Sequence, residues 1–238
     1  MVNENPIIVA LDMATAEEAV QMAQTVAPSV GAFKIGLGLL HGPGPGTIDA
    51  LVRIGKPVFV DAKLHDIPSQ VGAAAERLGK HGARWITAHV SGGREMLEAA
   101  VEGLEKGASG AEAGILGVSV LTSLDKTDLE RVGIQRTPGQ LVGKMAKVAD
   151  RAGCEGLVCS PLELNVVAQA APSLIRVTPG IRPVERDDDQ TRIATPRDAI
   201  DKGATMLVIG RPITRAPDPE AAAAEILREI TRASRSSE

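Results

Sequence analysis

The amino-acid sequence predicts an α/β protein, a single (β/α)8 TIM barrel spanning residues 1–238. Three observations carry that expectation. Eight short apolar runs recur along the chain, at 6–12, 32–36, 57–61, 84–90, 115–122, 156–160, 174–178 and 205–210. Each is nearly continuous rather than alternating, as a strand covered on both faces must be. Amphipathic stretches with helix start signals separate the runs, and repeated βα units in a chain of this length close into a barrel. A doubly wound open sheet is the competing arrangement of the same units. No linker or low-complexity stretch divides the chain.

The first run ends in Asp12, which can also cap the next helix. Thr15-Ala-Glu-Glu18 then reads as a capping box, with Ala16, Ala19, Val20 and Ala23 as the inward stripe. The second run carries Lys34, and His41-Gly-Pro-Gly-Pro-Gly46 reads as the loop after that strand. The third run leads into Val58-Phe-Val-Asp61-Ala-Lys63-Leu-His-Asp66-Ile67-Pro68, where period-two alternation turns Asp61 and Lys63 to one face and Pro68 opens a helix. The fourth ends in His89-Val-Ser-Gly-Gly93, and the following stripe of Leu97, Ala100, Val101 and Leu104 stops near Gly107, a candidate C-cap. The fifth ends in Leu121-Thr122-Ser123, and Thr137-Pro138 starts the next helix. After the sixth, Ser160-Pro161-Leu-Glu163 combines a cap, a first-turn proline and a second capping box. The seventh runs into Val177-Thr-Pro-Gly-Ile-Arg182 and a polar connection through Arg192, long enough to act as a lid. Thr195-Pro196 opens a helix, the eighth run ends in Val208-Ile-Gly210-Arg211, and Asp218-Pro219-Glu220 starts the last helix, with Ile226, Leu227 and Ile230 inward.

Composition narrows the function. Hydrophobic residues make up 44% of the chain, but the aromatics are Phe33, Phe59 and Trp85 alone, too few for base-stacking platforms. A net charge of −4 argues against a nucleic-acid surface or a polybasic membrane patch. The N-terminus lacks a signal-peptide pattern, and no apolar run approaches the roughly 20 residues of a membrane span, so a cytoplasmic protein is expected. Cys154 and Cys159 lack a usual zinc spacing, and Cys159 reads as a small buried hydrophobe. No Gly-x-Gly-x-x-Gly follows a strand, and neither a P-loop nor a His/Cys metal cluster is present. A lyase or isomerase without metal or organic cofactor is therefore favoured over a redox enzyme.

In a barrel the chemistry collects at the C-terminal ends of the strands. There this chain puts Lys34, Asp61, Lys63 and Asp66, whose alternating signs can offset the cost of burying each. Taken singly, such residues are ordinary salt bridges or caps, and His89 is more simply a hydrogen-bonded barrel residue. Thr122 and Ser123 can orient a polar ligand edge. Gly210 lets the backbone approach a ligand, and Arg211 offers a fork for phosphate oxygens at a position where barrels often bind phosphate. The residues thus point to a barrel enzyme acting on a phosphorylated substrate.

Over essentially its whole length the chain resembles the bacterial orotidine 5′-phosphate decarboxylase family. The resemblance is carried, in order, by Ile8-Val-Ala-Leu-Asp12, Phe33-Lys34-Ile-Gly36, Asp61-Ala-Lys63-Leu-His-Asp66-Ile-Pro68, Thr178-Pro-Gly-Ile-Arg182, Asp188-Asp-Gln190-Thr-Arg192 and Val208-Ile-Gly-Arg211-Pro-Ile213. It implies decarboxylation of orotidine 5′-phosphate to uridine 5′-phosphate, without metal or cofactor. By resemblance, Lys63 is the proton donor and Asp61 the carboxylate facing the departing group. Lys34 and Asp12 hold the ribose and the charged array, and Thr122 and Ser123 read the pyrimidine edge. Arg182, Gln190, Gly210 and Arg211 grip the phosphate. Asp66 and Ile67 are implied to serve a neighbouring subunit's site, which makes the expected form a homodimer. Where the family has a Thr shortly after Asp-Ile-Pro, this chain has Ser69-Gln70, so Gln70 stands in its place. Two alternatives remain: a Mg2+-dependent sugar-phosphate decarboxylase or aldolase of the same superfamily, which needs an acid where this chain has Lys34, and a catalytically silent phosphate-ligand sensor.

Overall fold

A computed structural model describes residues 5–182 and 194–234. Its strands are β1 (Ile7–Leu11), β2 (Ala32–Ile35), β3 (Val58–Leu64), β4 (Trp85–His89), β5 (Gly114–Val118), β6 (Gly156–Val158), β7 (Ile175–Thr178) and β8 (Met206–Ile209). Each pairs in parallel with the next, and β8 pairs back onto β1, so the sheet closes into an eight-stranded (β/α)8 barrel. The helices outside it are α1 (Ala16–Val26), α2 (Leu37–His41), α3 (Gly46–Val52), α4 (Pro68–Lys80), α5 (Arg94–Ala108), α6 (Lys126–Arg131), α7 (Pro138–Arg151), α8 (Leu164–Ala170), α9 (Pro196–Asp201), α10 (Arg211–Thr214) and α11 (Pro219–Ser234).

Strand side chains divide by parity. Val9, Leu11, Phe33, Val60 and Ile86 belong to the buried layer between sheet and helices. Ile8, Ala10, Phe59, Trp85, Leu116 and Val208 fill the barrel interior. Burying a side chain such as Phe59 stabilises the fold by about 1.5–3 kcal/mol. The N-terminal end of the barrel is sealed by charge. Arg84 donates to both carboxylate oxygens of Glu155 at 2.6 and 2.7 Å, and Trp85 Nε1 donates to the same group at 3.1 Å. The Arg84 guanidinium also lies 4.5 Å from the Trp85 ring centre.

Threonine caps form at α1, α7 and α9, where Thr15, Thr137 and Thr195 each accept a backbone N–H from three residues on, but at α1 Glu18 accepts the Ala14 N–H and the expected capping box does not close. Four further local expectations are corrected. The His41–Gly46 segment joins α2 to α3 instead of following β2 directly, because Leu37 starts a helical turn that buries Leu39. Ser160 does not start a helix. Its hydroxyl bonds the Glu163 carboxylate, so that group cannot close a capping box, and α8 begins only at Leu164. Gly107 is not a C-cap, since α5 continues to Ala108 and ends on left-handed Ser109 at φ 51°. Gly107 is needed for space: a Cβ there would stand 2.1 Å from the carbonyl oxygen of Glu76 on α4. Finally, β5 ends at Val118, so Thr122 and Ser123 lie in the turn beyond the strand.

Candidate active site

Inward parity at the ends of β1, β2 and β3 brings four charged groups into one line. Register sets Lys34 beside Ala10 on one side and Phe59 on the other, one pleat below Asp12 and Asp61. Lys34 Nζ lies 3.4 Å from Asp12 Oδ1 and 3.9 Å from Asp61 Oδ2, and Lys63 Nζ donates to Asp61 Oδ2 at 2.6 Å. The order is Asp12–Lys34–Asp61–Lys63. The Lys34 side chain is only 10% exposed, so an ammonium group there depends on its two carboxylate partners. Asp12, and not Asp66, is the fourth member within the chain. After β3 the backbone turns outward into α4, and the exposed Asp66 carboxylate accepts the Ile67 N–H at 2.6 Å. Ile67 is 62% exposed, and Gln70 is exposed one turn further on.

The third strand is irregular where it carries this chemistry. Val60 pairs with Ile86 and Leu64 with Ala88, so Asp61, Ala62 and Lys63 together face the single residue Thr87. Such a bulge re-aims side chains at functional strand ends. Lys63 lies in the left-handed region at φ 48°, a conformation that costs a residue with a side chain on the order of 1–3 kcal/mol. Thr87 is fully buried in the gap. Its hydroxyl accepts the Lys63 backbone N–H at 2.9 Å and donates to Asp61 Oδ1 at 2.9 Å. Sequence reasoning missed Thr87, because a β-branched residue in an apolar strand reads as filler. The available signal was parity: Thr87 is a polar residue on the inward phase, two positions before His89.

A cavity of about 270 Å³ opens on this array, close to the lower end of the roughly 300–1,000 Å³ common for small-molecule sites. Asp12, Lys34, Asp61 and Lys63 line it together with Thr122, Arg182, Gly210 and Arg211. Arg182 is buried, and its Nη1 donates to the Ile181 carbonyl at 2.9 Å. Ser123, Ile67 and Gln70 are exposed and do not line the cavity. Gln190 lies outside the described residues, as does the remainder of the 183–193 connection. His65 and His89 lie tilted against each other beside the array, ring centres 5.3 Å apart, and neither lines the cavity. Burial, and then the charges of His65 and Lys63, push the His89 pKa below its usual value. Cys159 lines the cavity, but burial raises its thiol to about 12, which leaves it unreactive as a nucleophile. Among the described residues no group of three His, Cys, Asp or Glu side chains could hold a metal ion, and no helix is long and apolar enough to cross a membrane.

Comparison with known proteins bears on what such a cavity serves. The model of the orotidine 5′-phosphate decarboxylase / HUMPS family matches residues 5–226. A protein of Anaeromyxobacter sp. (strain K) named orotidine 5′-phosphate decarboxylase is 45% identical over 222 residues, covering 92% of this chain and 96% of the relative. One of the same name from Pseudomonas putida is 42% identical over 228 residues, covering 95% and 97%. Among solved structures, orotidine 5′-phosphate decarboxylase from Lactobacillus acidophilus superposes with a TM-score of 0.84 at 34% identity, covering 95% of this chain and 99% of that one.

Proposed function

The chain belongs to the orotidine 5′-phosphate decarboxylase / HUMPS family, and we propose that it is a carboxy-lyase that converts orotidine 5′-phosphate to uridine 5′-phosphate and CO2 in pyrimidine biosynthesis. The observation that carries this reading is the Asp12–Lys34–Asp61–Lys63 line in a cavity that Arg182 and Arg211 also line. The alternating line supplies charge for a reaction, and the two guanidinium groups supply forks for phosphate.

Breaking the C6–carboxylate bond leaves its electron pair on C6 as a vinyl carbanion with no adjacent carbonyl to spread it. Fixed positive charge aimed at that carbon is the effective stabiliser. Lys63 is assigned that role: its ammonium group faces the developing charge and then transfers a proton to C6, completing uridine 5′-phosphate as CO2 departs. Asp61 holds Lys63 in place and stands where the substrate carboxylate leaves. Lys34 and Asp12 hold Asp61 and the ribose. Thr122, with Ser123 beside it, reads the pyrimidine edge, while Arg182, Gly210, Arg211 and Gln190 grip the phosphate. Binding energy from the remote phosphate assembles the reacting centre. Asp66, Ile67 and Gln70, all exposed, are assigned to a second subunit's site in a cytoplasmic homodimer.

The competing reading is a Mg2+-dependent sugar-phosphate decarboxylase or aldolase. Lys34 favours the decarboxylase, because its Nζ sits between Asp12 and Asp61, where a divalent cation bridging those carboxylates would meet a like charge. The purified protein is expected to release uridine 5′-phosphate from orotidine 5′-phosphate at an undiminished rate in excess EDTA. No turnover, or turnover only on adding Mg2+, overturns the reading.

A further inference from the structure

We infer that Thr87 is a positioning residue: its hydroxyl replaces the missing rung between β3 and β4 and thereby fixes both Asp61 and Lys63 for the reaction. The inference rests on the decarboxylase reading for its kinetic consequence and on geometry alone for the tether. Val60–Ile86 and Leu64–Ala88 bracket a stretch in which three residues face one. No backbone carbonyl of β4 is in register to take the Lys63 N–H, and Thr87 Oγ1 takes it at 2.9 Å. A threonine hydroxyl carries one proton. With its lone pairs turned to the Lys63 N–H, that proton is given to Asp61 Oδ1 at 2.9 Å.

The consequence is a division of labour on Asp61. Oδ1 is tied to the barrel wall by Thr87, and Oδ2 is left for Lys63 at 2.6 Å and Lys34 at 3.9 Å. The carboxylate cannot rotate without giving up one of these contacts. The same hydroxyl holds the backbone of Lys63 in its left-handed conformation, which decides where that side chain leaves the strand. Thr87 is fully buried and does not line the cavity, so it acts through Asp61 and Lys63 and not on the ligand.

The test compares Thr87→Val, which keeps the shape and removes the hydroxyl, with Thr87→Ser, which keeps the hydroxyl. Thr87→Val is expected to lower kcat by about 30-fold or more, the effect typical of misplacing a catalytic group, with KM for orotidine 5′-phosphate changing less than about threefold. Thr87→Ser should stay within about threefold of the parent in both. Equal loss in the two variants, or full kcat in Thr87→Val, overturns the inference. If Thr87→Val does not fold, Thr87→Cys, a weak hydrogen-bonding partner, takes its place against Thr87→Ser with the same outcomes. Amide hydrogen exchange at Lys63 gives a readout independent of activity. It should be slow in the parent and in Thr87→Ser, and at least about tenfold faster once the hydroxyl is lost. Unchanged exchange removes the tether. An inactive parent with hydroxyl-dependent exchange would overturn the decarboxylase reading and leave the tether standing.

Discussion

At the scale of single residues, the mouth of the barrel keeps four formal charges close together by alternating their sign, and the cost falls on neighbours. His89 is one. It is half-buried, and burial first, then the electrostatic influence of His65 and Lys63, opposes its protonation, while Asp61 favours it more weakly. Its folded pKa therefore lies below the ordinary 6.5. Below that value the unfolded chain takes up a proton that the folded chain resists. The stability His89 contributes is present above about pH 6.5 and is lost as pH falls through the folded pKa. Urea unfolding at about pH 7.5 and pH 5.5 should show a smaller acid loss in His89→Gln than in the parent. Equal losses would mean that His89 takes up its proton as readily folded as unfolded.

Among elements, the tightest contact is between α4 and α5. A Cβ on Gly103 would stand 2.2 Å from the carbonyl oxygen of Gly72, and one on Gly107 2.1 Å from that of Glu76. The two backbones touch, and only glycine permits it. Lys106 and Lys80 then close on Glu76 at 2.7 and 2.6 Å, holding its carboxyl down at about 2. Because Pro68 opens α4 directly after Asp66 and Ile67, this crossing also seats the segment assigned to the neighbouring site. Gly103→Ala should destabilise the protein by about 1–3 kcal/mol or more in chemical denaturation, as overpacking does. Gly139→Ala in α7 meets no atom within 4 Å and should be neutral or stabilising by up to about 1 kcal/mol. Similar effects at both sites would mean that the crossing can relax. These glycines also mark the limit of what the chain reveals unaided. Eight apolar runs foretold eight strands because burial on both faces leaves a local signature. Gly107 looked like a cap because what it fits against, the Glu76 carbonyl, belongs to another helix. The bulge at Asp61–Lys63 was hidden for the same reason: its cause is the register with β4, and a one-strand reading sees only regular alternation. Parity still foretold that Asp61 and Lys63 share a face, because two added residues leave the phase unchanged.

For the whole molecule, the decisive question is where Asp66 acts. Within its own chain its carboxylate is exposed and satisfied by the Ile67 N–H, while Asp12 already completes the line of charges. Next to it, Ile67 holds an apolar side chain 62% exposed at the edge of the mouth. A two-fold dimer uses the same patch twice, so a segment that reaches into a partner's cavity has its own cavity served in return. If each site takes Lys63 from one subunit and Asp66 from the other, Lys63→Ala and Asp66→Ala should each be inactive alone. Mixed in equal amounts and allowed to exchange subunits, half of the dimers become hybrid. Each hybrid carries one site with both native residues and one with neither, so activity should return to about one quarter of the parent's. Because the parent residues are never on one chain in the mixture, recovery can arise only across an interface. No recovery after exchange is verified by mass, or an Asp66→Ala protein that is active by itself, would return Asp66 to a surface role and leave each barrel to work alone.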